Sequence, residues 1–334
     1  MRNKPIATRN MLSGTTITAA FLAAAGAAGV VQSAQADGLV RCWGTNGYGQ
    51  CNTPADLGAC SSIAAGGYHT IALRSDGGVR CWGFSDYGQC STPADLGACS
   101  SVAAGGYHTI ALGSDGGVRC WGANGYGQCS TPADLGACSS IAAGFYHTTA
   151  IRSDGGARCW GLNGFGQCTT PADLGPCSGV AAGGYHTIAL RSDGGVHCWG
   201  YNYYGQGYTP ADLGACSGVA GGFYHTIALR SDGGVRCWGF NNYSQCDGPA
   251  DLGGCWSVAG GAFNTLAIEK PCISCGADLN GHCSIDGTDL GMLINQWGGC
   301  PPGITGCTGD IDDDGQVNGA DLGLLLSNWG PCPN

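Results

Sequence analysis

Asp76-Gly-Gly-Val-Arg-Cys-Trp-Gly83 opens a stretch that continues as Phe84-Ser-Asp-Tyr-Gly-Gln-Cys90, then Thr92-Pro-Ala-Asp-Leu-Gly-Ala-Cys99, and ends with Ser101-Val-Ala-Ala-Gly-Gly-Tyr-His-Thr-Ile-Ala-Leu112. Three short segments in it are β-like, Val79–Trp82, Ser101–Ala104 and Tyr107–Leu112, and turn residues separate them. The Ser114-Asp-Gly-Gly that follows is a hairpin signal, because Asp-Gly supplies the positive φ such turns need. A three-stranded unit of this size cannot bury a core by itself. The triplet Cys-Trp-Gly begins at Cys42, Cys81, Cys120, Cys159, Cys198 and Cys237, always 39 residues apart, so the stretch recurs six times and fills residues 37–270. Units stacked around an axis bury one another's faces and leave only short edges. The sequence therefore predicts a mainly β, six-repeat β-propeller with three-stranded blades. The first repeat starts in mid-blade at Val40–Trp43 and the last stops at Ile268, so the N-terminal strand is expected to close the last blade.

Composition agrees with a turn-rich β body. The 334 residues include 64 glycines, and only 11% are charged, which argues against a coiled coil or a disordered chain. The 13 basic residues are scattered singly, so the clustered cations that bind nucleic acid are missing. Residues 1–36 run from Arg2, Lys4 and Arg9 through an Ala-rich apolar stretch to Ala34-Gln35-Ala36, the order of a cleaved signal peptide. Its loss would leave ten basic residues against 23 acidic ones, a net charge of −13, and no later segment that could span a membrane. The expected location is outside the cytoplasm of a bacterium: secreted, at the cell surface or in the periplasm.

In such a compartment the 23 cysteines read first as disulfides, and their odd number leaves at least one thiol without an internal partner. Each unit has three places, as in Cys42, Cys51 and Cys60, except that Gly207 replaces the middle one in the fifth. Because Cys198 and Cys216 persist there, the simplest expectation joins the first and third places. Chain spacing does not itself fix the pairing. His69, His108, His147, His186 and His225 recur at one place, with Asn264 at the sixth. A ring of metal ligands is one reading; a hydrogen bond used once per unit is simpler. Variation is concentrated after Trp-Gly, where Phe84, Tyr201, Tyr203 and Phe240, with Tyr208 nearby, should project from one face. That arc reads either as a surface for a protein or glycan partner or as drift in an unconstrained loop.

The motifs Trp-Gly-x-Asn-x-Tyr-Gly-Gln, Ala-Ala-Gly-x-Tyr-His-Thr-Ile-Ala-Leu and Asp-Gly-Gly-Val resemble the regulator of chromosome condensation repeat, a β-propeller unit, and the unit is more similar to the compact repeats of bacterial secreted propellers than to the longer ones of the eukaryotic exchange factor. The family usually forms seven blades, and its members range from nucleotide exchange on a small GTPase to protein inhibition. The resemblance thus implies a scaffold and a surface rather than a reaction.

From residue 271 the repeat stops; eight acids follow with no Lys or Arg. Asp310, Asp312, Asp314, Gln316, Asn318 and Asp321 occupy positions 1, 3, 5, 7, 9 and 12 of a calcium loop, with Gly315 at 6 for the sharp turn. Leu322–Trp329 then reads as a short helix. An upstream copy has Asp278, Asn280, Ser284, Asp286 and Asp289, with His282 and Cys283 in place of the acid and the glycine, and should bind more weakly. The pair of loops resembles a type I dockerin over residues 276–330, which implies Ca2+ as cofactor and a cohesin domain as partner. No metalloprotease helix, nucleophile elbow or phosphate loop occurs. The expectation is a non-catalytic binding protein; the alternatives are a hydrolase or lyase with its site in the central channel, and a purely structural envelope protein.

Overall fold

A computed structural model describes residues 40, 42, 46–249, 252–269, 277, 279, 284–285, 287–299, 309–312 and 316–331. The proposed signal peptide lies outside the described residues, as do Arg41 and Trp43 of Val40–Trp43. The chain divides into two compact units, one ending at Ile268 and one that runs from Glu269 and includes Pro249–Gly254.

The first unit is a series of small antiparallel sheets. β1 (Cys60–Ala65), β2 (His69–Arg74) and β3 (Val79–Gly83) form the first, in that order. The pattern recurs in β4 (Cys99–Ala104), β5 (His108–Gly113) and β6 (Val118–Gly122), and in β7 (Cys138–Ala143), β8 (His147–Arg152) and β9 (Ala157–Gly161). It recurs again in β10 (Cys177–Ala182), β11 (His186–Arg191) and β12 (Val196–Gly200), and in β13 (Cys216–Gly221), β14 (His225–Arg230) and β15 (Val235–Gly239). A two-stranded sheet, β16 (Cys255–Gly260) and β17 (Thr265–Glu269), ends the series. The second and third strands are joined by the expected hairpin: Arg74 N–H donates to Gly78 O (2.8 Å), and Gly77 takes φ +82°.

Each sheet packs on the next, from the first to the last; no comparable packing of β16–β17 on β1 occurs among the described residues. Small side chains make this possible. Ala64, Ile71, Leu73, Cys99, Val102, Ala111 and Trp121 form one cluster across two sheets. The loops ahead of each second strand are also stitched together. Gly67 N–H donates to Gly105 O, Gly106 to Phe145 O, Phe145 to Gly184 O, Gly184 to Phe223 O and Phe223 to Ala262 O, at 3.1–3.2 Å. These bonds satisfy loop donors that would otherwise be buried unpaired. Val40 packs on Leu57, Cys60, Ile63, Ala72 and Trp82, much as Val79 packs on the next cluster.

The disulfides correct the expectation from the sequence. The first and middle places pair, in Cys42–Cys51, Cys81–Cys90, Cys120–Cys129, Cys159–Cys168 and Cys237–Cys246, with Cα atoms 4.9–5.0 Å apart. The loop after Trp-Gly folds back beside its own strand, bringing cysteines nine residues apart within bridging range. The third-place residues Cys60, Cys99, Cys138, Cys177 and Cys216 are buried thiols at strand starts, each donating weakly to a carbonyl two residues back, as Cys99 does to Gly97 O. Cys198 is also a buried thiol, because Gly207 gives it no partner.

In the second unit α1 (Gly287–Asn295) and α2 (Gly319–Ser327) pack around Ala277, Ile285, Leu293, Val317 and Leu325. Short ribbons tie the two halves crosswise. β18 (Ser284–Ile285) pairs with β21 (Gly330–Pro331), and β19 (Gly298–Gly299) pairs with β20 (Gln316–Val317). No helix among the described residues is long and apolar enough to cross a membrane.

Candidate functional site

The histidines link neighbouring sheets. His69 Nε2 lies 3.0 Å from Thr109 Oγ1, and the same bond joins His108 to Thr148, His147 to Thr187, His186 to Thr226 and His225 to Thr265. Thr109 Oγ1 spends its one proton on Gln89 O (2.8 Å), so His69 must donate from Nε2 and carries no proton on Nδ1. Nδ1 is buried without a partner in all five. Burial pushes these imidazoles down to about 3 in His108 and His186 and about 4 in His69, His147 and His225. Neutral, single-donor rings each bound to a hydroxyl are joints between sheets rather than a ring of metal ligands.

β2, β8, β11 and β14 begin at the histidine and end at an arginine, and β5 runs from His108 to Gly113, so one end of the strands differs chemically from the other. The far end carries the charge, as exposed pairs such as Arg74–Asp76 (2.9 Å) and Arg80–Asp56 (2.8 Å). The histidine end carries the rings. Every Tyr and Phe between residues 46 and 269 except Tyr208 touches another ring, at centroid distances up to 6.4 Å, and together they form one connected network. Tyr68, Tyr107, Tyr146, Tyr185 and Tyr224, each just before its histidine, form the inner row. Outside it stand Tyr48, Tyr87, Tyr126, Phe165, Tyr204 and Tyr243, all exposed. Edge-to-face contacts such as Tyr48–Phe84 (5.0 Å, 68°) hold the rings in place, each worth about 0.5–1.5 kcal/mol beyond burial. Burial raises the hydroxyls of Tyr107, Tyr146, Tyr185 and Tyr224, which keeps them un-ionised. In the loops after Trp-Gly the charged residues are Asp86 and Asp247, and Lys and Arg are missing.

The structure brings some of the sequence-predicted residues together. Tyr201 and Tyr203 lie nearly parallel (22°), and Phe240 reaches them through Tyr204. Phe84 lies among Tyr48, Tyr68, Tyr87 and Tyr107, away from the other four. Tyr208 is 73% exposed and touches no other ring among the described residues. The repeated tyrosines were missed in the sequence, because partner residues were sought only where the units differ. A ring in every Gly-Gln loop, with only Tyr-to-Phe exchange at Phe165, was the signal available.

In the second unit Asp310, Asp312 and Asp321 bring carboxylate oxygens within 4.8 Å of one another. Asp321 is fully buried; it accepts from Ile311 N–H (2.6 Å), Asp312 N–H (3.3 Å) and Asn318 N–H (2.8 Å). Burial works to raise its carboxyl, but these backbone donors outweigh it and hold the group below its ordinary range. Asn318 caps α2 by accepting from Ala320 N–H, and Gln316 is exposed on β20. Asp314 lies outside the described residues. In the upstream copy Asp289 accepts from Leu279 N–H (2.8 Å), as Asp321 does from Ile311. Ser284 is on β18, and Asp278, Asn280 and Asp286 lie outside the described residues. Among the described residues the clustered groups are carboxylates alone, a donor set that fits a hard cation such as Ca2+.

A search of curated proteins finds no significant match. Among solved structures, the chain is similar to the CRINKLY WD40 ectodomain of the Arabidopsis thaliana receptor kinase ACR4 (TM-score 0.60, 23% identity, 76% of this chain and 92% of that one). It is likewise similar to Prp20p from Saccharomyces cerevisiae (0.58, 18%, 68% and 78%) and human WBSCR16 (0.60, 20%, 78% and 88%). At these identities the likeness is one of fold. The family model described as the regulator of chromosome condensation (RCC1) repeat matches residues 60–89, 99–128, 138–167, 177–206 and 216–245, and the dockerin type I domain matches 276–328. The chain therefore carries five RCC1 repeats, folded as blade-like three-stranded units, and a dockerin type I domain at its C-terminus.

Proposed function

We propose that this is an exported, non-catalytic binding protein: a six-bladed propeller over residues 37–270 presents its aromatic face to a protein or glycan, and the calcium module over 271–334 tethers it to a cohesin-like or surface partner. The observation that carries this reading is the connected field of rings, with its outer row exposed at the strand ends that lack ion pairs. Exposed apolar patches of this kind mark interaction sites. Closure of the propeller is supported by strand supply. β17 lacks the Cys-Trp-Gly partner that every other second strand has, and the chain holds one spare copy, at Cys42, whose neighbour Val40 packs on the first sheet.

A reaction site in the channel is disfavoured by Phe145 and Phe223. These rings come from the third and fifth sheets, with a whole sheet between them, yet meet at 5.4 Å. Side chains so placed fill the centre with hydrocarbon, whereas acid–base catalysis needs unlike polar groups. Disulfides in five units and the dockerin match support an extracellular location. The test is capture of the full-length chain on immobilised cohesin domains with calcium and with chelator. Calcium-dependent capture that leaves the aromatic face able to bind a second component supports tethering; retention unaffected by chelator contradicts it.

A further inference from the structure

The fifth repeat breaks the pattern three times within one loop. Where the third repeat has Gly125, Cys129 and Ser130, the fifth has Tyr203, Gly207 and Tyr208. In the first, third, fourth and sixth loops the Asn after Trp-Gly bonds across to the last residue, as Asn124 Nδ2 does to Ser130 (3.2 Å) and Asn241 Nδ2 to Asp247 (2.7 Å); the second has Ser85 at that place, and in all five a disulfide clamps the base. The fifth loop keeps the backbone turn bonds and the bond from Gly207 N–H to Asn202 Oδ1 (2.7 Å), but has neither the bond across nor the disulfide. The Asn202 amide fills the space where a Cβ on Gly207 would sit, at 2.9 Å. In exchange the loop offers Tyr203 and Tyr208, 79% and 73% exposed, and Tyr204 set edge-on against Tyr203.

Resting on the reading of the aromatic face as a recognition surface, we propose that the Tyr201–Tyr208 loop is the binding platform and that its ligand is a neutral oligosaccharide. The loop has no acid, lysine, arginine or histidine, so nothing in it complements a phosphate, a sulfated sugar or a basic peptide. Protein anchors favour pockets that exclude water, whereas Tyr203 and Tyr208 stand out from the surface. Protruding rings with hydroxyl tips match the apolar C–H faces and hydroxyl edges of pyranose rings. Tyrosine also loses little rotamer freedom on binding.

The test is calorimetric titration of the full-length chain with soluble β-glucan, xylan and mannan. The rewritten chain Tyr203→Gly/Gly207→Cys/Tyr208→Ser, which copies the third repeat's loop, is titrated alongside. One of the neutral glycans should bind, and the rewritten chain should lose on the order of tenfold or more in affinity. Arg80→Ala, at the opposite end of the strands, should bind within about twofold of the parent. If the triple variant misfolds by circular dichroism, Tyr203→Ala and Tyr208→Ala replace it with the same expectation. Silence toward all neutral glycans overturns the proposal. If a protein ligand then needs this loop, the recognition face itself survives. Glycan binding that the loop variants leave intact overturns the loop assignment alone.

Discussion

A glycine three residues ahead of each histidine is what lets neighbouring sheets join. A Cβ at Gly105 would run into the His108 imidazole and lie 2.7 Å from Gly144 O, so neither side has room. Gly105→Ala should displace the ring, break its bond to Thr148 and leave buried polar atoms unpaired, costing about 2–4 kcal/mol; a urea midpoint equal to the parent's would contradict this. The same ring sets the acid response. Folded values of about 3 to 4 lie below the ordinary 6.5, so below pH 6.5 the unfolded chain takes up protons that the folded chain refuses. Stability should therefore be full above about pH 6.5 and fall as pH drops toward 4, by on the order of 2 kcal/mol per histidine at pH 5. Urea midpoints at pH 7.5 and 5 measure it. His147→Asn, the residue the sixth unit already uses in Asn264, should flatten the slope by one proton.

Five of the six loops that carry the outer rings are clamped by disulfides, and the bridged cysteines can be told apart from the buried third-place thiols. Replacing Cys81 and Cys90 together by Ser should cost about 2–3 kcal/mol, the loop-closure value for a ring of this length. Cys99→Ala should cost only about 1 kcal/mol, because a small buried thiol is lost and no bridge. Alkylation of the denatured, unreduced chain followed by mass spectrometry should label Cys99 and Cys198 but not Cys81 or Cys90. This is where the sequence was least legible. Alternation and Asp-Gly turns marked β3 within one residue, at Val79–Trp82 against Val79–Gly83, since strand period and turn φ are local properties. Pairing Cys81 with Cys90 depends on how the loop after Trp82 folds back, which spacing does not encode. The repeated tyrosines were hidden for a related reason: constancy reads as core, yet Tyr87 and Tyr126 are constant and exposed because each ring braces its neighbours.

Two compact units in one chain should melt separately, and calcium should act on only one. Asp321 links the two properties of the C-terminal unit, because its carboxylate both joins the acidic cluster and holds three backbone N–H groups of its own loop and helix start. Neutralising that cluster by a cation relieves the repulsion among Asp310, Asp312 and Asp321, so binding energy becomes folding energy. At a calcium concentration about a hundred times Kd the gain is ~2.7 kcal/mol. Calorimetry of the full chain should show a transition that moves up with calcium and down with chelator, beside a second that ignores both. Asp321→Ala should abolish the shift and lower the first transition even in chelator, because the N–H groups of Ile311 and Asn318 lose their acceptor. Asp312→Asn should reduce the shift while leaving the chelated transition nearly unmoved, since its exposed side chain adds charge to the cluster at little cost in burial. A calcium shift that survives Asp321→Ala would separate the acidic cluster from metal binding and leave that aspartate a cap alone.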